Sequence, residues 1–205
     1  MGRGEFASKL LDFEVYNIDV TKQTADKVLE TIQRAQNQTF LPIIGKDKGQ
    51  VLVRIVECEN PQRILEIGTL VGYSAILMAK HLPEGAKIVS IEVDKKAADA
   101  ARKNISEAQL EEKIELIVGD ARCEIKKLQE KFDVLFLDAA KEQYLEYLKL
   151  AEPKLKEGAI VVADNVKIFK DDMEDFLEYV RESGRFRSET IDFGQDAVEV
   201  SIKLD

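Results

Sequence analysis

Arg63-Ile-Leu-Glu-Ile-Gly-Thr-Leu-Val-Gly-Tyr-Ser74 decides the fold. A short apolar strand stops at Gly68, a turn with two glycines follows, and Tyr73 opens a run with helical spacing to His81. Strand, glycine turn and helix make the first half of a βαβ unit. Outward from it the alternation repeats. Strands are predicted at Lys87–Glu92, Ile114–Val118, Asp133–Asp138 and Ala159–Ala163, with helices at Lys95–Gln109, Ala121–Glu130, Glu142–Ala151 and Asp171–Ser183. Phe186–Ile191 and Ala197–Lys203, joined by Gly194-Gln195-Asp196, read as a closing hairpin. Such alternation gives a mostly parallel sheet covered on both faces, to which the hairpin adds an antiparallel strand. Upstream, Ala25, Val28, Leu29, Ile32 and Ala35 space a helix over Thr21–Gln38, with Thr21, Thr24 and Asp26 as cap chemistry. A loop, Phe40–Gly45, leads to a second helix at Lys48–Glu57, stopped by Asn60-Pro61. The expectation is one doubly wound α/β domain over residues 21–205, after a loose terminus over 1–20 whose first six residues resemble a cloning remnant.

Composition narrows the chemistry. The chain has 205 residues, enough for one domain, and 45% apolar residues, enough for a continuous core. No apolar run approaches the roughly 20 residues of a membrane crossing, and no leader-like segment opens the chain, so a soluble, cytoplasmic protein is expected. Cys58 and Cys123 are too far apart for a redox pair, and His81 is the only histidine. A metal would therefore be held by oxygens, which favours magnesium or calcium. A net charge of −9 is a poor basis for binding nucleic-acid phosphates.

In open parallel sheets ligands bind beyond the strand carboxyl ends, where strand order reverses. Every parallel strand here ends in glycine, acid or amide: Glu66-Ile-Gly68, Glu92-Val-Asp94, Gly119-Asp120-Ala121, Asp138-Ala-Ala-Lys141 and Asp164-Asn165. The Gly68 turn fails the dinucleotide pattern, because Leu70 and Tyr73 stand where G-x-G-x-x-G needs glycine. A glycine turn with no phosphate cradle suits a nucleoside without phosphates. Glu92 can accept from both ribose hydroxyls, and Asp120 from an adenine amino group. Each feature alone is an ordinary strand end; together on successive strands they point to a nucleoside, with S-adenosylmethionine the obvious phosphate-free cofactor. Glu66, Gly119 and Asp138 join the expected cofactor pocket.

Asp138, Asp164 and Asn165 close neighbouring strands, and two carboxylates with an amide oxygen supply half an octahedral shell for Mg²⁺. Lys141 follows Asp138 by one turn. Methylating a hydroxyl requires removal of its proton, and Lys141 is the base available. A phenol and an ammonium both titrate near ~10 in water, and a divalent charge lowers both.

These residues resemble the cation-dependent class I O-methyltransferases, the group that includes catechol and caffeoyl-coenzyme A O-methyltransferases. The likeness is carried by Glu66–Ser74, Glu92, Val118–Ala121, Phe136–Tyr144 and Ala163–Val166. The D-A-x-K-x-x-Y-x-x-Y run through Tyr147 is closer to the plant and bacterial branch. The resemblance implies a Rossmann-like seven-stranded sheet with an antiparallel last strand. It implies S-adenosylmethionine on Gly68, Tyr73, Ser74, Glu92, Asp120 and Ala121, with Ser74 near the methionine carboxylate and Ile44 closing over the cofactor. It implies Mg²⁺, or another divalent ion such as Mn²⁺ or Ca²⁺, on Asp138, Asp164 and Asn165, Lys141 as general base, and a homodimer. Ala140 stands where the animal catechol enzyme has tryptophan, which implies a wider pocket.

The expected activity is metal-dependent transfer of a methyl group to one hydroxyl of a small vicinal diol, catechol-like or caffeoyl-type. A hydroxylated uridine in tRNA is the alternative acceptor, with Arg63, Lys95, Lys96, Arg102 and Lys103 as its basic face. An NAD-dependent dehydrogenase and a non-catalytic adenosine-binding protein are the alternatives from other classes.

Overall fold

The computed structural model describes residues 20–36, 38 and 40–204. The expected loose terminus and the remnant-like first residues, Val20 apart, lie outside the described residues. Helices α1 (Val20–Gln36) and α2 (Gly45–Glu59) precede β1 (Arg63–Ile67), α3 (Tyr73–Ala79), β2 (Lys87–Glu92), α4 (Lys95–Glu107) and β3 (Ile114–Val118). Then come α5 (Ala121–Lys127), β4 (Phe132–Leu137), α6 (Tyr144–Ala151), β5 (Leu155–Ala163), α7 (Glu174–Glu182), β6 (Phe186–Asp192) and β7 (Ala197–Lys203). Thr21, Thr24 and Asp26 fall inside α1 rather than at its cap, because the helix already begins at Val20. Asn60, in the left-handed region at φ 48°, ends α2 by donating its N–H to the Val56 carbonyl, and Pro61 follows.

One seven-stranded sheet runs in the order β3-β2-β1-β4-β5-β7-β6. Strands β1 to β5 pair in parallel, and β7 is inserted antiparallel between β5 and β6. Strand alternation sorts the core onto two faces. Ile64, Ile88, Val134, Phe136, Ile160 and Val162 pack under α1 to α4. Leu65, Ile67, Val89, Ile91, Leu135 and Leu137 pack under α5 to α7. Both faces being covered explains why β1 and β4 read as nearly unbroken apolar runs.

The chain moves outward from β1 to β3, then returns to place β4 on the other flank of β1. The switch point therefore lies between β1 and β4. There Asp138 N–H donates to the Ile67 carbonyl at 2.9 Å, and Gly68 N–H to the Ile91 carbonyl at 2.9 Å. No described helix is long and apolar enough to cross a membrane.

Candidate active site at the strand carboxyl ends

A cavity of about 600 Å³ opens over this switch point, within the size range of small-molecule sites. Gly68, Glu92, Asp120, Asp138 and Asn165, one from each parallel strand end, all line it. Ile44, Tyr73, Ser74, Gly119, Ala121 and Lys141 line it too. Glu66 and Asp164 are not among its lining residues; they are buried beneath the strand ends.

The floor is a buried polar network. Glu66 faces α3 from the α1–α4 side of β1 and is fully buried. It accepts from Ser74 Oγ at 2.5 Å and from Ser90 Oγ, and Thr69 Oγ1 lies 2.5 Å from Ser90 Oγ. Burial pushes the Glu66 carboxyl up to about 7, with the Asp138 and Glu92 charges adding and the two serine hydrogen bonds opposing. This residue therefore supports the cavity from below, as its strand register dictates: position 66 points into the layer between sheet and helices.

Glu92 holds the Gly68 turn. Its Oε2 accepts from Thr69 N–H at 3.1 Å and Leu70 N–H at 2.8 Å, and its Oε1 from Asp94 N–H at 2.8 Å. Those three bonds fix the carboxylate at the cavity wall and leave one lone pair to spare, on Oε1. Asp120 is more heavily engaged than its strand-end position foretold. It caps α5 through Arg122 N–H at 2.9 Å and takes the Arg122 guanidinium at 2.6 Å. The Arg122 hydrogen bonds hold its carboxyl below the ordinary value. Tyr73 turns its hydroxyl to Gln33 of α1, which donates at 2.6 Å.

The second cluster sits on β4 and β5. Lys141 opens a single 3₁₀ turn, Lys141–Gln143, and the helix predicted from Glu142 starts as an α-helix only at Tyr144. Its Nζ is 2.7 Å from Asp138 Oδ1 and 2.8 Å from the buried Tyr144 hydroxyl, and that hydroxyl donates to the Leu137 carbonyl at 2.9 Å. Asp164 is almost wholly buried. Burial, and next the Asp138 charge, raise its carboxyl to about 6, while Lys48 pulls the other way.

Sequence reasoning passed over three of these residues: Lys48, Arg122 and Asp196. Lys48 Nζ stands 2.6 Å from Asp164 Oδ1 and 2.6 Å from Asp196 Oδ2. Burial works against that ammonium, but the two carboxylates outweigh it and raise its pKa above the usual lysine value. Asp196 also accepts from Asn165 Nδ2 at 2.8 Å. The available signal was position: Lys48 follows the Ile44 segment closely, and Asp196 ends the hairpin loop leading into β7. Four of the five basic residues of the tRNA alternative, Lys95, Lys96, Arg102 and Lys103, share α4. Arg63 starts β1 at the opposite end of the sheet from Lys95 and Lys96, while Arg102 and Lys103 pair with Asp99 and Glu107 on α4.

Among the described residues no group of three or more histidine, cysteine, aspartate or glutamate side chains is placed to hold a metal. The oxygen set of Asp138, Asp164 and Asn165 is nonetheless chemically suited to a hard divalent cation. Asp164 Oδ1 is buried without a well-angled hydrogen bond, although the Lys48 ammonium is near. Two neighbouring carboxylates and an amide oxygen, all hard donors at adjacent strand ends, fit such an ion.

The sheet order and the cavity at its switch point define a Rossmann-like ligand-binding domain. Comparison with known proteins narrows the class. A family model described as O-methyltransferase matches residues 16–182. Catechol O-methyltransferase B of Danio rerio is 37% identical over 152 residues, covering 71% of this chain and 57% of that protein. Catechol O-methyltransferase of Bos taurus is 36% identical over 150 residues, covering 70% and 54%. The chain spans a little over half the length of these two relatives. A crystal structure of an O-methyltransferase from Bacillus cereus in complex with SAH superposes with a TM-score of 0.78 at 27% identity, covering 88% of this chain and 90% of that one. The chain belongs to the O-methyltransferase family.

Proposed function

We propose that this protein transfers the methyl group of S-adenosylmethionine to one hydroxyl of a small vicinal diol, catechol-like or caffeoyl-type, with a divalent cation in the site. The observation that carries this reading is the Lys141 ammonium, 2.7 Å from Asp138 on a cavity lined by all five parallel strand ends. The cofactor supplies an electrophilic methyl group when bound. Glu92, anchored by Thr69 and Leu70, accepts from a ribose hydroxyl; Ser74, held by Glu66, faces the methionine end; Ile44 covers the cavity from the α2 side. Asp138, Asp164 and Asn165 would hold the cation, which would supply positive charge that makes an acceptor hydroxyl more acidic.

Lys141, in its uncharged form, takes the hydroxyl proton at Nζ, and Asp138 and the Tyr144 hydroxyl fix where that nitrogen sits. Phe40, Val93 and Phe169 leave apolar surface exposed where they line the cavity, which suits an aromatic acceptor, and Ala140 leaves room beside Lys141.

The test is turnover of catechol and of a caffeoyl thioester with S-adenosylmethionine, in Mg²⁺ and after chelation. Lys141→Ala should keep cofactor binding by calorimetry and lose at least about 100-fold in kcat. Chelation should abolish turnover, and added Mg²⁺ should restore it. Full activity of Lys141→Ala, or of wild type in metal-free buffer, overturns the mechanism.

A further inference from the structure

We propose that Asp196 is a positioning residue of the cation site, setting which end of the Asn165 amide faces that site, with Lys48 as the counter-charge that lets it do so. The inference rests on the metal-dependent reading above. An amide has two ends of nearly equal shape, and only its oxygen can ligate a cation. A carboxylate accepts hydrogen bonds and cannot donate, so it pairs only with the amino end. Asn165 Nδ2 donates to Asp196 Oδ2 at 2.8 Å, which turns the amide oxygen to the other side of the fork. Asn165 itself lines the cavity. Its backbone adopts φ +66°, a left-handed conformation that asparagine tolerates better than most residues.

Asp196 is buried, so it is no ordinary loop carboxylate. Beside Asp164 it would be repelled without a shared cation. Lys48 provides one, its Nζ 2.6 Å from an oxygen of each. Asp138 has its own partner in Lys141. Lys48 comes from the first turn of α2 and Asp196 from the residue before β7, so two remote segments converge behind the expected ligands. Partners of this kind orient metal ligands in many sites, and their loss weakens metal binding about 10- to 100-fold.

The experiment titrates Mn²⁺ into the metal-free full-length protein and follows free Mn²⁺ by electron paramagnetic resonance, with no substrate present. Asp196→Ala should weaken Mn²⁺ binding about 10-fold or more. Asp196→Asn should stay within about threefold of wild type, because Lys48 and Asn165 both donate toward it and hold its oxygen in the place of Oδ2. Asp196→Ser, too short to reach the amide, serves if the alanine variant does not fold by circular dichroism. Equal weakening in Asp196→Asn and Asp196→Ala would show that charge rather than amide orientation matters, and overturns the proposal. So does wild-type affinity in every variant. Failure of wild type to bind Mn²⁺ at millimolar concentration removes the metal-dependent reading itself, a different outcome from either.

Discussion

Glu66 shows how much a single residue's place depends on strand register. It ends an apolar run beside the glycine turn, and from sequence it belongs with the pocket residues. Alternation along β1 sends it instead into the sealed layer beneath α3, where Ser74 and Ser90 bond to it. Its carboxyl titrates at about 7 instead of 4.5, so the folded protein holds a proton there that the unfolded chain releases between those values. The folded state then binds more protons than the unfolded one, and stability falls as pH rises through that window. The contribution is fully present below pH ~4.5 and is lost above pH ~7, with a ceiling of about 3 kcal/mol. Glu66→Gln removes the ionisation while keeping the shape. The stability difference between Glu66→Gln and wild type, from urea unfolding at pH 5, 6, 7 and 8, should therefore grow in favour of the variant as pH rises. Asp164, whose carboxyl is also raised, is present in both proteins and cancels. A difference that stays constant with pH would mean that Glu66 remains charged throughout.

At the scale of elements, the turn between β1 and α3 is the tightest junction. Gly68 has φ +95°, and a Cβ there would lie 2.1 Å from the Asp138 carbonyl oxygen. Two strand ends meet with no room for a methyl group, and the obstacle is backbone, which cannot rotate away. Gly158 in β5 shares the positive φ, +72°, but a Cβ there meets nothing within 4 Å. Gly158→Ala should cost only the left-handed penalty, about 1–2 kcal/mol. Gly68→Ala should cost clearly more, several kcal/mol by displacing β1 from β4. Equal losses for the two variants in urea unfolding would remove the steric argument.

The contrast also marks what can be read in a sequence. β1, β2, β3 and β7 begin and end where their apolar runs do, because burial on the sheet demands it. α6 and α7 were harder at their starts, since Lys141–Gln143 and Asp171–Met173 form 3₁₀ turns that hydrophobic spacing cannot tell from helix. Glycines and acids at the strand ends marked where the cavity opens. Lys48 and Asp196 looked like any other surface charges, since only the fold brings them to those ends.

For the whole molecule, the consequence of the topology is that one ligand can touch every parallel strand. The cavity draws on the ends of β1 to β5, on the segment before α2 and on Tyr73, whose hydroxyl is bonded to α1. A ligand seated there binds only when these parts are assembled, so its binding energy is added to the stability of the sheet as a unit. S-adenosylhomocysteine at 100 times its Kd should stabilise the protein by about 2.7 kcal/mol. In a chain of this size that is a rise in melting temperature of about 5–10 °C. NAD at the same concentration should give no rise, since the Gly68 turn lacks the second glycine that lets a pyrophosphate approach the backbone. Glu92→Ala should abolish most of the rise by freeing Thr69 and Leu70 from their anchor and by removing the ribose acceptor. A rise with NAD equal to that with S-adenosylhomocysteine, or a rise that survives Glu92→Ala intact, would place the nucleoside elsewhere.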